Sequence, residues 1–104
     1  MATVKSKEEL VRLAWVAALR REGHRQCIGE YENGGLVCAL GLLWEIAGSR
    51  NWRFDERIIG ELAGLSYKQA EIIPRLNDGS KGESKHTFAE IADVIEGWFE
   101  EQSP

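Results

Sequence analysis

The fold is decided by the stretch Val37–Ala47, which reads VCALGLLWEIA. Its one charged residue is Glu45, so the segment would be apolar on nearly every face of a helix. Such a helix must be enclosed by other elements, because its surface would otherwise be exposed to water. It is also about half as long as a membrane-spanning helix, which needs roughly 20 apolar residues. The stretch therefore predicts a central core helix.

Four other segments have the pattern of helices that would cover this central helix. Three of them open with Ser or Thr followed three residues later by Glu or Gln, the spacing of a capping box in which the two residues satisfy each other's free backbone donors. These pairs are Ser6 with Glu9, Ser66 with Gln69, and Thr87 with Glu90. The third helix of the chain is predicted to start differently, with Asp55 as its cap and Phe54 and Ile59 packed across it.

The apolar positions of each segment predict its buried face. In the first helix, expected from Ser6 to about Glu22 and ended by Gly23, the largest anchor is Trp15. The predicted inner positions are Leu10, Leu13, Ala14, Ala17 and Ala18 in the first helix, Ile58, Ile59, Leu62 and Ala63 in the third, and Phe88, Ile91, Ala92, Ile95, Trp98 and Phe99 in the last.

Glycine and proline mark the predicted breaks between these helices. Residues 23–35 contain four glycines, which predicts a loop with a short hairpin. Gly64 should end the third helix, and Pro74 should kink or end the fourth, whose pattern reaches Leu76. The run 77–79, Asn-Asp-Gly, predicts a helix stop in which the asparagine takes the left-handed conformation. The chain is thus predicted to be one all-α domain, residues 1–104, a compact bundle of about five helices around the central helix.

Charge is distributed unevenly along the chain. The formal net charge is −4, but residues 1–25 hold six Lys or Arg against three Glu, and the rest holds seven against fourteen Asp or Glu. Such an asymmetry predicts that the two ends of the chain pack beside each other. The exposed face of the last helix is acidic and the connector before it is long for a helix-turn-helix, so we do not expect direct binding to double-stranded DNA. The net charge of −4 is also small for a protein that mimics DNA.

The two cysteines bear on cellular location and on chemistry. Residues 1–7 lack the apolar stretch and cleavage site of a secretory signal, which favours a cytoplasmic protein with Cys27 and Cys38 reduced and at least Cys38 buried. With His24 and His86 they could form a zinc site, but their spacing fits no standard module, and we predict neither a metal nor a cofactor. A Cys-His nucleophile pair is the catalytic alternative.

Three short motifs carry a family resemblance. They are Cys-Ala-Leu-Gly-Leu from Cys38, Leu-Asn-Asp from Leu76, and Thr-Phe-Ala-Glu-Ile-Ala-Asp from Thr87. Their order over residues 26–97 resembles an uncharacterised family of small helical bacterial and phage proteins. That family tends to have alanine where this chain has Leu42 and tryptophan where it has Leu76. The resemblance implies a helical fold and no particular activity.

The most suggestive polar patch is Arg50-Asn-Trp-Arg-Phe54. Trp52 between Arg50 and Arg53 could stack on a ring while the guanidinium groups hold an anion. His24 and Arg25 are candidates to join it, although the loops 23–35 and 48–54 should lie at opposite ends of the central helix. The alternative is that Trp52 covers the edge of the core and the arginines are solvated.

Two functional hypotheses follow from these features. The first is a small non-enzymatic binding protein of phage or mobile-element origin, an anti-defence candidate, that occupies a host protein partner or sequesters a small anionic ligand such as a nucleotide. The alternative is a small cysteine-dependent enzyme or redox protein that uses Cys27 or Cys38. The sequence does not determine the oligomeric state.

Overall fold

The computed structural model describes residues 6–28, 32–47, 56–79 and 85–100. Within these ranges it contains five α-helices and one two-stranded antiparallel hairpin, which confirms the prediction of an all-α bundle. The elements in chain order are α1 (Lys7–Arg21), a 3₁₀ turn (Gly23–Arg25), β1 (Glu32–Asn33), β2 (Leu36–Val37), α2 (Ala39–Ile46), α3 (Glu56–Leu62), α4 (Tyr67–Asp78) and α5 (Phe88–Glu100). No helix among the described residues is long and apolar enough to span a membrane.

The central position predicted for α2 is confirmed. The helix packs against α1, α3, α4 and β2, and its residues from Ala39 to Leu43 are all buried. It starts two residues later than predicted, because Cys38 is extended and caps the helix: its Sγ accepts a hydrogen bond from the backbone N–H of Gly41 at 3.2 Å. Cys38 therefore serves as a cap as well as a small buried side chain.

The predicted helix starts are also found. Ser66 with Gln69 and Thr87 with Glu90 make both hydrogen bonds of a capping box. The bond from the Thr87 backbone lowers the pKa of the Glu90 carboxyl, because it stabilises the carboxylate. At α1, the Ser6 hydroxyl accepts from the backbone N–H of Glu9 at 3.1 Å. The cap predicted for α3 at Asp55, with Phe54, lies outside the described residues.

The predicted inner face of α1 is wrong at most positions. Leu10 and Leu13 are 55% and 45% exposed, and the two alanines expected inside, at positions 14 and 17, are exposed as well. The buried residues are Trp15 and Ala18, both as predicted, together with Val16 and Leu19. The helix has apolar residues on two faces. The face with the indole ring is buried, because burying the largest side chain removes the most apolar surface from water.

Pro74 does not end α4, which continues through this residue to Asp78. The left-handed residue that ends the helix is Gly79, with φ of 69°, and its backbone N–H bonds to the carbonyl of Arg75 at 2.8 Å. Glycine adopts this conformation without the steric penalty of a side chain. Asn77 is helical, and its side chain is free for another role.

The other predicted glycine stop is confirmed. Gly64, with φ of 76°, follows α3, and the backbone N–H groups of Gly64 and Leu65 bond back to the carbonyls of Glu61 and Gly60. That pattern is a Schellman motif. Gly60 itself faces α4: a Cβ atom there would lie 2.6 Å from the Cβ of Ala70, so the two helices approach closely at this glycine.

The ends of the described chain pack side by side, as the charge distribution predicted. Helices α1 and α5 are in contact, and Arg20 of α1 forms ion pairs with Asp93, at 2.9 Å, and with Glu96 of α5. Nearer the start of α1, the guanidinium of Arg12 lies 3.6 Å from the centre of the Phe99 ring. Because the end of α1 meets the first half of α5 and its start meets the end of α5, the two helices run antiparallel.

Candidate functional site

Arg25, one of the predicted binding residues, is held by its own neighbours. Its guanidinium donates to the carbonyl of Gly35 at 3.0 Å and to the carboxylate of Glu22 at 2.9 Å, and it pairs with the carboxylate of Glu45 at 3.1 Å. The hydrogen bond between Arg25 and Glu22 lowers the pKa of Glu22 and raises the pKa of Arg25, because each charge stabilises the other. An anion at Arg25 would have to compete with these contacts.

These contacts place the Arg25 side chain at the C-terminal end of α2, because Glu45 lies in the last turn of that helix. Residues 48–54 lie outside the described residues, so the prediction that the two loops lie at opposite ends of α2 stays a prediction. His24, beside it in the 3₁₀ turn, is exposed. Arg50, Trp52 and Arg53 lie outside the described residues, so the anion-binding role of the patch stays a prediction.

The cysteines are free thiols, and both are buried. They lie on neighbouring segments, because Gln26 and Val37 form a parallel bridge in which the backbone N–H of Cys27 bonds to the Val37 carbonyl at 2.8 Å. Burial raises the pKa of the Cys38 thiol to about 11, since the interior disfavours the thiolate. A catalytic cysteine needs the opposite shift, so this site argues against Cys38 as a nucleophile.

We expect Cys38 to resist iodoacetamide in the folded protein at pH 7.5, because little thiolate forms so far below its pKa. Peptide mass spectrometry after alkylation would measure this, with the protein in denaturant as the control in which both cysteines react. Raising the pH toward 10 should speed the reaction in the folded state. Rapid labelling of Cys38 at pH 7.5 would contradict the burial and restore the catalytic alternative.

The residues proposed for zinc do not form a metal site with the described neighbours. Within the part of the chain that the structure describes, no group of three or more His, Cys, Asp or Glu side chains is arranged to hold a metal ion. Cys38 already accepts a hydrogen bond as a helix cap, and His24 is exposed on the 3₁₀ turn.

Asn77 is a buried residue whose role the sequence did not indicate. It is 0% exposed and makes four hydrogen bonds with its side-chain amide. The oxygen accepts from the backbone N–H of Ala39 at 3.2 Å and from Gln26 at 3.1 Å, while the nitrogen donates to the Cys27 carbonyl at 2.8 Å and to Asp78 at 2.9 Å. Asn77 thus joins α4 to the start of α2 and to the segment before the hairpin.

A groove between α1 and α5 is the strongest candidate for a functional surface. It has a volume of about 350 Å³. Val16 and Ile95, both buried, contribute to its floor, and Leu13 is 45% exposed at its mouth. Leu10 lies one turn before Leu13 and is also exposed. The complete lining is Glu9, Arg12, Leu13, Val16, Ile95, Glu96 and Phe99.

The groove is apolar along its floor and charged along its edges. Arg12 is drawn inward, where it stacks on Phe99 and donates to the Ala63 carbonyl at 3.2 Å. Glu9 and Glu96 lie on opposite sides, one on each helix. An apolar strip between charged edges is the usual layout of a surface that receives an amphipathic helix.

The sequence did contain a signal for this surface. In α1 the apolar residues occupy two stripes, one with Trp15 and Leu19 and one with Leu10 and Leu13, whereas a helix that packs on a single core needs only one. Because the second stripe has regular helical spacing, the sequence pattern predicts that it packs on the core. Spacing alone does not distinguish a core face from a docking face.

Comparison of the chain with family models, with curated proteins and with solved structures finds no match. The resemblance to the family with the Cys-Ala-Leu-Gly helix therefore stays a prediction, and the function has to be argued from the groove itself.

Proposed function

We propose that this chain is a non-enzymatic protein-binding module whose α1–α5 groove receives an amphipathic helix of a partner protein. The observation that carries the proposal is the exposure of Leu10 and Leu13, at 55% and 45%, beside a groove with an apolar floor. Single exposed leucines are common on protein surfaces, but Leu13 lines the groove and Leu10 lies one turn before it on the same helix, so the two add exposed apolar surface at the mouth of the groove.

A helix is the partner element that suits this shape. Two antiparallel helices leave a long furrow between them, and the side chains along one face of a third helix fit into it. Such a helix would place apolar residues at positions i, i+3, i+4 and i+7 against Leu10, Leu13 and the floor of the groove. The groove is also only partly enclosed, whereas sites for small molecules usually enclose most of the ligand.

The enzymatic alternative has less support. Cys38 is buried, acts as a helix cap and has a raised pKa, all of which oppose a nucleophilic role.

The test uses a neutral helical peptide with leucine at positions i, i+3, i+4 and i+7 and serine and glutamine elsewhere. When it is titrated into the isotope-labelled protein, we expect saturable NMR shift changes centred on Leu13 and Ile95. Leu13→Asp should weaken binding by about tenfold or more, because it puts a charge into the apolar contact.

Leu36→Asp is the matched control, since Leu36 is exposed in β2 and does not line the groove. This variant should bind the peptide as the parent protein does, and both variants should keep the parent's circular dichroism spectrum. Shift changes that fail to saturate, or that centre on another surface, would refute the proposed function.

A further inference from the structure

The edges of the α1–α5 groove carry more negative than positive charge. Glu9 lines the groove on the α1 side and Glu96 on the α5 side, and Asp93 lies one turn before Glu96 on α5. The side chains of Asp93 and Glu96 are both exposed to solvent. Among the described residues, two guanidinium groups stand against these three carboxylates, those of Arg12 and Arg20.

Neither arginine is placed to present its charge freely at the groove mouth. Arg12 lies over the Phe99 ring at 3.6 Å and donates to a backbone carbonyl of the α3–α4 connection. Arg20 lies between two carboxylates, so one positive charge is shared by Asp93 and Glu96. The α5 edge therefore keeps an excess negative charge beside the apolar floor.

We infer that the helix received by the groove is basic, with Lys or Arg on the flank that faces α5; this inference rests on the proposed function. Its apolar stripe would cover Leu13 and the floor, and its cations would lie beside Asp93 and Glu96. Charges at the rim of an interface act mainly on specificity and on the rate of association, and salt screens them. The charges at the rim thus determine which partner helix the groove prefers, while the apolar strip provides the contact itself.

A second copy of this chain is the competing occupant, because α1 has an exposed apolar stripe and a basic last turn with Arg20 and Arg21. Its first turn, however, is acidic, with Glu8 and Glu9, so the same helix would also bring carboxylates to the acidic rim. Charge complementarity therefore favours a uniformly basic helix of another protein.

The experiment compares three peptides with one leucine stripe: the neutral peptide and two versions whose flanks carry lysine or glutamate. At about 10 mM salt, where the Debye length is about 30 Å, we expect the lysine peptide to bind about tenfold tighter than the glutamate peptide. The difference should shrink as salt is raised toward 1 M, where the Debye length is about 3 Å. Fluorescence anisotropy of labelled peptides measures both.

The double variant Asp93→Asn with Glu96→Gln should remove most of the difference in affinity between the lysine peptide and the glutamate peptide. The double variant Glu61→Gln with Glu71→Gln, on α3 and α4, is the control that removes the same two negative charges away from the groove. Thermal unfolding of each variant establishes that it is folded before the titrations are compared.

The possible results separate the inference from the proposed function. Binding of all three peptides with equal affinity would overturn the basic partner and leave the helix-binding function standing. Failure of every peptide to bind at the groove would overturn both. Self-association of the unliganded protein in sedimentation, abolished by Leu13→Asp and unaffected by Leu36→Asp, would show that the occupant is a second copy and would overturn the inference.

Discussion

Asn77→Ala is expected to lower the free energy of unfolding by about 3 to 5 kcal/mol, because it leaves two buried backbone groups without their side-chain partner. The amide of Asn77 is the side-chain partner of the Ala39 backbone N–H at the start of α2 and of the Cys27 carbonyl. Both groups would remain in the interior, where they could not bond to bulk water. The truncated side chain would also leave a small cavity.

Urea denaturation followed by circular dichroism would measure the loss. Asn33→Ala is the matched control, because Asn33 is an exposed asparagine in β1, and its replacement should change stability by less than about 0.5 kcal/mol. Asn77→Asp separates the two sides of the amide: it keeps the acceptor for Ala39 but loses the donor to Cys27. A loss below about 1 kcal/mol for Asn77→Ala would mean that the network does not hold α2 in place.

Trp15→Ala is expected to cost about 3 to 5 kcal/mol, the range measured when a buried aromatic side chain is truncated. The indole is 0% exposed, and its Nε1 donates to the carbonyl of Ala39 at 2.8 Å. The substitution therefore removes the largest fully buried side chain of the described core together with the bond that joins α1 to the first residue of α2.

The loss of stability for Trp15→Ala can be compared with the losses for two further variants. Trp15→Phe keeps an aromatic ring but loses the hydrogen bond, and we expect a smaller cost of about 1 to 3 kcal/mol. Trp98→Ala removes the same kind of side chain from α5, where it is only partly buried, and should cost less than Trp15→Ala. Equal losses for the two alanine variants would show that Trp15 is not the anchor of the core.

Both predictions concern side chains that form hydrogen bonds with the backbone of Ala39. The backbone N–H of Ala39 bonds to Asn77 of α4, and its carbonyl bonds to Trp15 of α1. The first turn of a helix has N–H groups without partners inside the helix, and here one of them is satisfied by a side chain 38 positions away in the sequence. The start of α2 is thus a junction of three helices, and the groove depends on it because α1 forms one of its walls.

The features predicted correctly are those that depend on neighbours along the chain. A capping box needs two residues three positions apart, and the pairs at Ser66 and Thr87 are found in the structure. A helix without a polar face, such as α2, can only be central, and α5 shows its stripe at Phe88 and Ile91 so regularly that its buried side is evident. The helical class of the fold and the enclosure of α2 follow from such local rules.

The misassigned features depend on partners that are distant in sequence. Asn77 could have been a left-handed helix end, and only the approach of α2 and of the segment at Cys27 makes it a buried hydrogen-bonding centre. Pro74 remains inside α4, although a proline usually disrupts a helix interior.

The sequence by itself determined that this chain forms helices, where most of them begin, and that residues 39–43 are enclosed, because capping and hydrophobic periodicity act over a few residues. Only the tertiary structure decided which of the two apolar stripes of α1 is covered. The stripe with Trp15 lies against the core, and the stripe with Leu10 and Leu13 remains exposed, with Leu13 lining the groove between α1 and α5. The physical reason is that burial depends on which surfaces meet, and α1, unlike the enclosed α2, covers the core with one of its faces.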